Sequence, residues 1–555
     1  MLLSMSLVLW ISVVFCSCND TSIKRDKLFD IPKTCFINLF SLNRSMTSFD
    51  SNDELATAHL LWTTASLPEE YLGRLRLTPH PDCTVNSSFK LAEAAQTSIG
   101  LSALSAALFH DLRTGVKQDV SVDARLAVLE FRSESFYTLD RKAPGPIWDQ
   151  IAGLYKTKDG RVRIHTNFPH HRHGILDLLK IPNTPAVTKA QVQDALLQWT
   201  SQDFERQAGE ARMCAFALRS FEEWDQHPHA QALVGTPPVV IKRIGDAPRR
   251  QIEEGVQPSK HALEGIRVLD LSRVLAGPVA GRTLAAHGAD DLLVTSPLLP
   301  ALPDLDVDTS RGKRTTQLDL THTEDSEKLK SLARDADVFL QAYRPGALEV
   351  KGFGVDELMK MEGKRKHGIV CANLCAWGWD GPWKDRRGFD SLVQTSTGFN
   401  VAEGQAYSAY LASIGQAADP EPRPFPMQAL DHTAGYLLAF GINAALCKTI
   451  TEGGSWEVQV SLAAVGQWIR SLGKVSPEEA FGKGKPLPSS SFPQHEEIQR
   501  LSVDWPQSNQ LHGRSRTMTA LRHAAVLSRT PVREGRVEEG EPGAPLVLDS
   551  SQATW

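Results

Sequence analysis

A strand–helix–strand pattern near the middle of the chain constrains its fold more than any other feature. Residues 266–269 are mostly apolar and predict a buried strand, and Gly277 and Pro278 predict the turn that follows it. Residues 279–287 favour a helix, and residues 291–295 predict a second strand. Such a βαβ unit is typical of parallel sheets covered by helices, so the pattern predicts an α/β fold.

Nicotinamide-binding domains also begin with a βαβ unit, but the sequence does not favour one here. Gly277 and Gly281 do not form the Gly-x-Gly-x-x-Gly turn that binds a pyrophosphate. No acidic residue follows the second strand to bind a ribose hydroxyl. We therefore expect a different ligand at this sheet.

A helix, a glycine turn and a strand occur in this order twice along the chain. Residues 431–448 predict a helix and residues 456–460 the strand after it, and residues 93–122 repeat this pattern with a glycine and alternating valines at matching places. The repetition predicts an internal duplication. It places Glu93 opposite Asp431, and we interpret the first copy as non-catalytic because plain helix-forming residues surround Glu93.

The chain divides into parts by composition and pattern. An Asp-Gly turn between Tyr155 and Ile164 predicts a hairpin, and with it a smaller α+β domain. A polar stretch with a proline predicts a linker, and residues 516–529 are a candidate helix within a polar tail. The expected parts are a leader or mis-predicted extension (1–45), an N-terminal half with the small domain (46–248), a linker (249–264), a second half (265–475) and a partly disordered tail (476–555).

The composition excludes several classes of protein. With 555 residues, 41% of them hydrophobic and 23% charged, the chain is expected to be a soluble globular protein of more than one domain. A net charge of -5 gives no sign of nucleic-acid binding, and eight cysteines in this length indicate no disulfide framework. His367, Cys371 and Cys375 have a metal-like spacing, but the apolar residues between them favour a buried strand.

Four histidines lie close together near the predicted hairpin: His165, His170, His171 and His173. A metal site needs its ligands on one face, which this spacing does not establish. We interpret them as neutral imidazoles of a small-domain loop near the substrate.

The first residues allow two interpretations of where the protein resides. An apolar run over residues 2–15 could be part of a signal peptide, although no Lys or Arg precedes it. It is short for a membrane span of about 20 residues. We expect a cytoplasmic protein without a membrane partner, or one of the secretory pathway if residues 1–18 are a genuine signal peptide.

Six short motifs in one order resemble those of family III CoA-transferases. They are the strand and turn at 265–278, Arg-Gly-Lys-Arg at 311–314 with Leu-Asp-Leu at 318–320, Tyr-Arg-Pro-Gly at 343–346, Trp-Gly-Trp-Asp-Gly-Pro at 377–382, Gly-Phe-Asp-Ser-Leu-Val-Gln at 388–394 and Gln-Ala-Leu-Asp-His-Thr-Ala-Gly at 428–435. The resemblance implies a Rossmann-like, parallel-sheet CoA-binding domain and a smaller α+β domain. In the family the hairpin follows the nucleophile helix, whereas here it precedes that helix, so the halves resemble a fused or circularly permuted version of the fold.

The resemblance implies an enzyme that moves CoA from an acyl-CoA to a free carboxylic acid. Asp431 matches the family's nucleophile, which forms an anhydride and then an aspartyl-CoA thioester. An unperturbed Asp, with a pKa of about 3.9, would be ionised for this task. Alternatively Asp431 is only an N-cap of its helix. Gln394 matches a glutamine beside the reacting acyl group, or is a polar side chain with its hydrogen bonds satisfied at the sheet edge.

The contacts to CoA that the resemblance implies fall on turns and basic residues. The expected cofactor-binding residues are Gly277, Pro278, Arg311, Lys313, Arg314, Arg344 and Gly346. Arginine and lysine would neutralise phosphates, although three basic residues in one loop are also common on solvated surfaces. CoA thioester is then a substrate, and no cofactor is bound permanently. The expected partners are an acyl-CoA, a carboxylic acid and a second copy of the chain, unless a permuted chain makes the contacts of the family's dimer within itself.

Two other functions remain open. Acyl-CoA racemases share this fold, but they have a histidine where this chain has Phe389, so proton transfer between two bases lacks a partner. A non-catalytic CoA-fold binding protein is the second alternative, because the family's usual residues are replaced at Ala342, Val350 and Thr295.

Overall fold

The chain folds around a mixed sheet of seven strands with helices packed against it. A computed structural model describes residues 55–252, 259–416, 418–490, 492–509, 511 and 513–555, and the interpretation of residues 1–45 as a leader lies outside the described residues. The helices are α1 (Ala56–Thr64), α2 (Leu91–Thr114), α3 (Ala124–Glu130), α4 (Pro169–Leu178), α5 (Lys189–Leu196), α6 (Ser201–Glu210), α7 (Phe221–Asp225), α8 (Pro228–Ala232), α9 (Ala276–Ala286), α10 (Pro303–Thr309), α11 (Thr323–Asp335), α12 (Val355–Lys360), α13 (Asp390–Ser396), α14 (Phe399–Ser413), α15 (Ala429–Thr451), α16 (Leu462–Ser471) and α17 (Glu496–Leu501). The strands are β1 (Leu75–Leu77), β2 (Val120–Val122), β3 (Thr138–Leu139), β4 (Gly153–Lys156), β5 (Arg161–Ile164), β6 (Ala215–Ala217), β7 (Val240–Gly245), β8 (Arg267–Leu271), β9 (Asp290–Thr295), β10 (Arg314–Gln317), β11 (Val338–Gln341), β12 (Val370–Cys375), β13 (Ser455–Ser461), β14 (Ser502–Asn509), β15 (Arg514–Leu521), β16 (Ala525–Leu527) and β17 (Ala544–Pro545).

The order of strands in the main sheet fixes where a ligand can bind. The order is β10-β9-β8-β11-β12-β13-β7, and all neighbours are parallel except β13 and β7. The chain therefore builds the sheet outward from β8 in one direction and then, from β11, in the other. In open parallel sheets, ligands bind beyond the carboxyl ends of the strands at such a switch point. The loops after β8 and β11 are the expected place here.

The predicted strand–helix–strand pattern is confirmed as β8, α9 and β9, with one correction. Gly277 and Pro278 do not form a turn ahead of the helix, because α9 already begins at Ala276. Proline fits there because the first N–H groups of a helix have no partner within the helix, so a missing donor costs no hydrogen bond.

The hairpin predicted between Tyr155 and Ile164 is also confirmed. Strands β4, β5 and β6 form a separate antiparallel sheet, in which β5 is the central strand. Apolar side chains from this sheet and from α4 to α6 form a core of their own, which includes Val162, Ile175 and Phe204.

The predicted strand around Cys371 and Cys375 is confirmed as β12, with both thiols buried.

Helix α15 runs through the interior of the protein and is buried over nearly its whole length. By length and composition it could cross a membrane, but the apolar window that passes this test is entirely buried inside the described part of the chain. A side chain at Gly435 would put a Cβ atom 2.6 Å from the carbonyl oxygen of Ala276, so α9 and α15 cross closely at this glycine. The crossing places Asp431, one turn earlier, beside the loop after β8.

The C-terminal residues form strands, so the expectation of a helix over residues 516–529 is wrong. In β15 Met518 and Ala520 are buried, and Thr517 and Thr519, which alternate with them, are more exposed, which is the period of a strand. β15 pairs with β3, and β16 pairs with β2, so the described part of the last fifty residues is built into the fold instead of forming a partly disordered tail.

A network of buried charges joins segments that lie far apart in the chain. Arg282 of α9 has no exposed side-chain surface and pairs with Asp308, which also accepts from Arg311 at 3.0 Å. Glu130 lies 3.8 Å from Arg282 and accepts a hydrogen bond from His523 at 2.7 Å. The network therefore links the N-terminal segment, the main sheet and the C-terminal strands.

Replacing Arg282 with methionine is expected to destabilise the protein by about 3–5 kcal/mol, because Asp308 and Glu130 would then keep buried charges with fewer partners. Urea unfolding measures the effect. Arg206→Met is the matched control, since Arg206 pairs with Asp203 and Glu210 on the surface with its side chain 57% exposed, and we expect a change within about 0.5 kcal/mol. A loss below about 1 kcal/mol for Arg282→Met would contradict the role given to the network.

Candidate active site

Asp431 lies in the first turn of α15, at the meeting point of two cavities. The residue is only 9% exposed, and it lines both cavities. Among the described residues, no group donates a hydrogen bond to its carboxylate. The N-cap position belongs to Gln428, so the alternative that Asp431 merely caps its helix is wrong.

The carboxylate that caps α15 comes from Asp390, the first residue of α13. It accepts hydrogen bonds from the backbone N–H groups of Leu430 (2.8 Å) and Asp431 (3.0 Å), and from the side-chain amide of Gln394. An anion is favoured at this end of the helix, where the peptide dipoles leave partial positive charge. Asp390 therefore fixes the start of α15, and with it the position of Asp431.

Gln394 is held on both sides of its amide. Its nitrogen donates to Asp390, and its oxygen accepts from the backbone N–H of Phe425 at 3.0 Å and from Asn400 at 3.3 Å. It borders a cavity beside Asp431, but it lies in α13 and not at a sheet edge. Its contacts match those of a polar side chain with satisfied hydrogen bonds, and through Asp390 it helps to position Asp431.

The pKa of Asp431 is raised well above the ordinary value for Asp, so the expectation of an unperturbed carboxyl is wrong. Burial is the largest cause, and the neighbouring charges of Asp390 and Glu134 add to it. Burial also raises the pKa of Asp390 to about 6, although its three hydrogen-bond donors oppose the shift. Asp390 has those donors and Asp431 has none. As the pH falls, the first proton that the pair takes up therefore binds to Asp431.

The first cavity, which we call the hairpin cavity, has a volume of about 250 Å³. Its walls come from strand β5, the segment after α3, the loop after β8, helix α13 and the residues before α15. Its lining combines apolar residues, among them Leu275, Phe389 and Phe425, with charged or polar residues: Arg132, Glu134, Arg163, His165, Asn167, Gln394 and Asp431.

The second cavity, which we call the switch-point cavity, has a volume of about 300 Å³ and lies at the carboxyl ends of β8, β11 and β12. Its cationic lining residues are Arg273, Arg344, Lys384, Arg386 and Arg387, and within the described residues Asp431 is its sole carboxylate. Arg386 is neutralised by Glu205 at 3.1 Å. The others form no ion pair with a described carboxylate, so this cavity favours an anionic ligand.

Two of the seven residues expected to bind CoA line the switch-point cavity, Gly277 and Arg344. A Cβ atom at Gly277 would lie 2.6 Å from the Cβ of Ser272 and 2.7 Å from that of Ala342, so only glycine lets the loops after β8 and β11 meet there. Gly346 is in an exposed turn with φ +78 and lies outside both cavity linings. Pro278 borders neither cavity, and its carbonyl accepts a hydrogen bond from Lys313 at 3.0 Å.

The three basic residues at 311–314 do not reach either cavity, so the expectation that they bind phosphate does not fit the structure. Lys313 pairs with Asp270 and Arg311 with Asp308, and none of these side chains has exposed surface. Arg314 pairs with Asp290 at 2.8 Å. Their charges neutralise carboxylates of the sheet and its helices instead of a ligand.

Three of the four histidines near the hairpin line the two cavities, whereas His173 is exposed and pairs with Asp177. Only His165 lies outside α4, so the four do not share a loop. His165 lines the hairpin cavity and stacks on Phe389 with ring centroids 3.9 Å apart, while His170 and His171 line the switch-point cavity. Burial and the nearby Arg163 lower the pKa of His165 to about 3. Burial, His170 and Arg387 lower the pKa of His171 to about 2. The imidazoles of His165 and His171 are therefore neutral near pH 7.

Glu93, the residue that the duplication places opposite Asp431, borders neither cavity. Its carboxylate accepts a hydrogen bond from Thr57 at 2.5 Å and pairs with Lys90 at 3.2 Å. These contacts agree with its interpretation as part of a plain helix.

Comparisons with known proteins give the same family as the motifs. A model of the family described as "CoA-transferase family III" matches residues 263–472. The acetyl-coenzyme A transferase nodX of Hypoxylon pulicicidum is 30% identical over 336 residues, which are 58% of this chain and 55% of that protein. An acyl-CoA transferase of Gibberella moniliformis is 28% identical over 343 residues, 59% of this chain and 57% of that protein.

The chain thus spans little more than half the length of these curated relatives. Among solved structures, a hypothetical protein from Mycobacterium tuberculosis is 30% identical and covers 38% of this chain and 57% of its own, with a TM-score of 0.30.

Asp431→Asn is expected to stabilise the protein at pH 8 by about 1 kcal/mol. A carboxyl whose pKa is raised by folding is less favourable when ionised, so stability is lost as the pH rises through the folded-state pKa. Asparagine cannot ionise, and its advantage disappears below the pKa of an unfolded Asp, about 3.9.

Thermal unfolding of both proteins between pH 4 and 8 measures this difference. Asp385→Asn, a change at an exposed position, is the control and should leave stability within about 0.5 kcal/mol at every pH. An equal or lower stability of Asp431→Asn at pH 8 would show that burial and repulsion do not act on this carboxyl as described.

Proposed function

We propose that the protein, whose residues 263–472 match a model of CoA-transferase family III, moves CoA from an acyl-CoA to a free carboxylic acid through covalent intermediates on Asp431. The acetyl-CoA and acyl-CoA transferases among its relatives support CoA transfer in general. The substrates and the covalent route are our proposal.

The single observation that carries the proposal is the place of Asp431 between the two cavities. A nucleophile in this reaction must reach the thioester carbon, which joins the acyl group to the pantetheine arm of CoA. The switch-point cavity offers cations for the phosphates of CoA on one side of Asp431, and the smaller hairpin cavity can take the acyl group on the other. With the substrate bound in this way, a carboxylate at this junction would face the bond that must break.

The steps balance without a proton or an electron. A carboxylate oxygen of Asp431 attacks the thioester carbon, and the C–S bond breaks to release CoA thiolate and leave a mixed anhydride. The thiolate then attacks the Asp431 carbonyl carbon, and the donor leaves as a carboxylate. The acceptor carboxylate attacks this aspartyl-CoA thioester, the thiolate leaves, and it finally attacks the acceptor carbonyl to regenerate the Asp431 carboxylate.

Positioning is the main task of the surrounding residues in this scheme. Asp390 and Gln394 fix the first turn of α15, and the N–H groups of Leu430 and Asp431 are already engaged with Asp390. The raised pKa of Asp431 means that ionisation of the nucleophile depends on pH, and also that its carboxylate is poorly solvated and correspondingly reactive.

The proposal also includes a Rossmann-like CoA-binding domain and an internal duplication. The contacts that the family makes between two subunits would here be made either within one chain or in a dimer. The strand order around β8 supports the first part. Helix α2, which precedes β2, packs against α15, which precedes β13, and this pairing of similar units supports the second.

Incubation of the full chain with acyl-CoAs is expected to give an aspartyl thioester at Asp431, because the anhydride collapses onto the CoA thiolate. Hydroxylamine converts this thioester to a hydroxamate, which peptide mass spectrometry locates. Asp431→Asn should give no adduct, whereas Glu93→Gln, the matched change in the first copy, should keep it. A folded protein that forms no adduct with any donor, or forms one elsewhere, would refute the covalent route.

The rate of adduct formation is expected to fall as the pH falls, with an acid limb above the range of an ordinary Asp, because only the ionised nucleophile attacks. Asp390→Asn should move this limb to lower pH, since it removes a like charge beside Asp431 while its amide oxygen can still accept from α15. Stopped-flow mass analysis across pH 4–8 measures the limb. A limb that stays in place in Asp390→Asn would count against the coupling of the two carboxyls.

A further inference from the structure

Arg163 is an arginine without a carboxylate partner at the wall of the hairpin cavity. It lies in the middle of β5, the central strand of the small sheet, and its guanidinium is 5.6 Å from the ring centroid of Trp148. Its Nε atom has no accessible surface and no hydrogen-bond partner. Within the described residues, no carboxylate lies at ion-pair distance from it.

Arg161, on the same strand, is an arginine that does have a carboxylate partner, and it provides a comparison for Arg163. Arg161 pairs with Glu421 at 2.5 Å. Arg163, two residues further along β5, turns to the cavity instead, and burial lowers its pKa with only Asp390 opposing the shift. A desolvated guanidinium without an anion is costly, so a ligand that supplies the anion would gain from it.

Arg132 adds a second positive charge to the same wall. It follows α3, its guanidinium is 5.9 Å from the ring centroid of Phe136, and it forms no ion pair with a described residue. Glu134, also at the wall, contacts His432 at 3.0 Å. Two guanidinium groups and the carboxyl groups of Glu134 and Asp431 therefore line the same cavity.

The charge at this cavity changes during the reaction. The lining holds two arginines and the carboxyl groups of Glu134 and Asp431, and the carboxyl of Asp390 lies beside Asp431. Once Asp431 is bound to the acyl group as an anhydride, its negative charge is gone. In that intermediate a monocarboxylic acyl group brings no charge to the cavity, whereas a dicarboxylic acyl group brings one that Arg163 can bind.

We propose that the hairpin cavity selects acyl groups that carry a second carboxylate, which Arg163 binds with help from Arg132. The planar guanidinium fork suits two parallel hydrogen bonds to a carboxylate. A cavity of about 150 Å³ holds one benzene molecule, so the hairpin cavity, at about 250 Å³, suits a dicarboxylate of few carbons and is small for a long fatty chain. This inference rests on the proposed CoA transfer.

Succinyl-CoA and butyryl-CoA test the proposal, because they have the same chain length and differ in a terminal carboxylate. We expect the native protein to use the succinyl donor with a kcat/KM about 10- to 100-fold higher. Arg163→Met should remove most of this preference by lowering the value for succinyl-CoA alone, and Arg163→Lys should restore part of it. Arg161→Met is the matched control and should keep the preference.

Calorimetric binding of free succinate and free butyrate separates this inference from the proposed function. Succinate binding that is lost in Arg163→Met, in a protein that transfers no CoA, would uphold the inference and refute the transfer. Transfer without a preference for succinyl-CoA would overturn the inference. An equal loss for both donors in Arg163→Met would also overturn it, because Arg163 would then hold the reacting carboxyl group common to both.

Discussion

The pairing of Arg282 with Asp308 is the interaction on which the rest of the structure depends. Both side chains lack exposed surface, and Ser133 donates to Asp308 at 2.6 Å while Arg311 extends the network to the carbonyl of Leu521 at 2.8 Å. Buried ion pairs contribute little net stability because desolvation offsets their attraction, but an incomplete set is strongly unfavourable. The network therefore specifies one arrangement of the N-terminal segment, the main sheet and the C-terminal strands, and with it the walls of the site.

The candidate active site differs from this network, because its central carboxyl group, Asp431, has no hydrogen-bond donor among the described residues. Asp390 receives three hydrogen bonds and anchors the first turn of α15, whereas Asp431, next to it, receives none from the described residues. The same helix start thus holds one carboxyl whose hydrogen bonds are satisfied and another that is desolvated, which we propose as the nucleophile. Environment, and not residue type, separates the two roles. Arg163 repeats this contrast on a strand, where Arg161 has its carboxylate and Arg163 does not.

The pattern of apolar residues along the sequence predicted much of the fold. The features that it did not predict depend on contacts between segments that are far apart in the chain. The period of apolar residues was sufficient to predict β8, α9, β9 and the hairpin of β4 and β5, and a motif directed attention to Asp431, which the structure places at both cavities. Sequence could not tell a phosphate contact from a buried ion pair, so the partners of Arg311 and Lys313, Asp308 and Asp270, were not foreseen. Arg163 was missed because its cavity is assembled from segments as far apart as Arg132 and Asp431, although its place in an alternating strand with Val162 and Ile164 was a usable signal. In residues 514–521, alternating burial overrode helix-forming composition because β3 and β14 offered strand partners.

Strand β2 lies between β1, which precedes it closely, and β16, which follows it by about 400 residues. Ribosomes add about 5–20 residues per second, so β2 waits about 20–80 s during synthesis before its second neighbour exists. Throughout that time one edge of β2 is open to pairing with any other chain. The first half of this protein therefore emerges with an unfinished sheet, and its yield in a cell should depend on how well that edge is shielded until the last strands arrive.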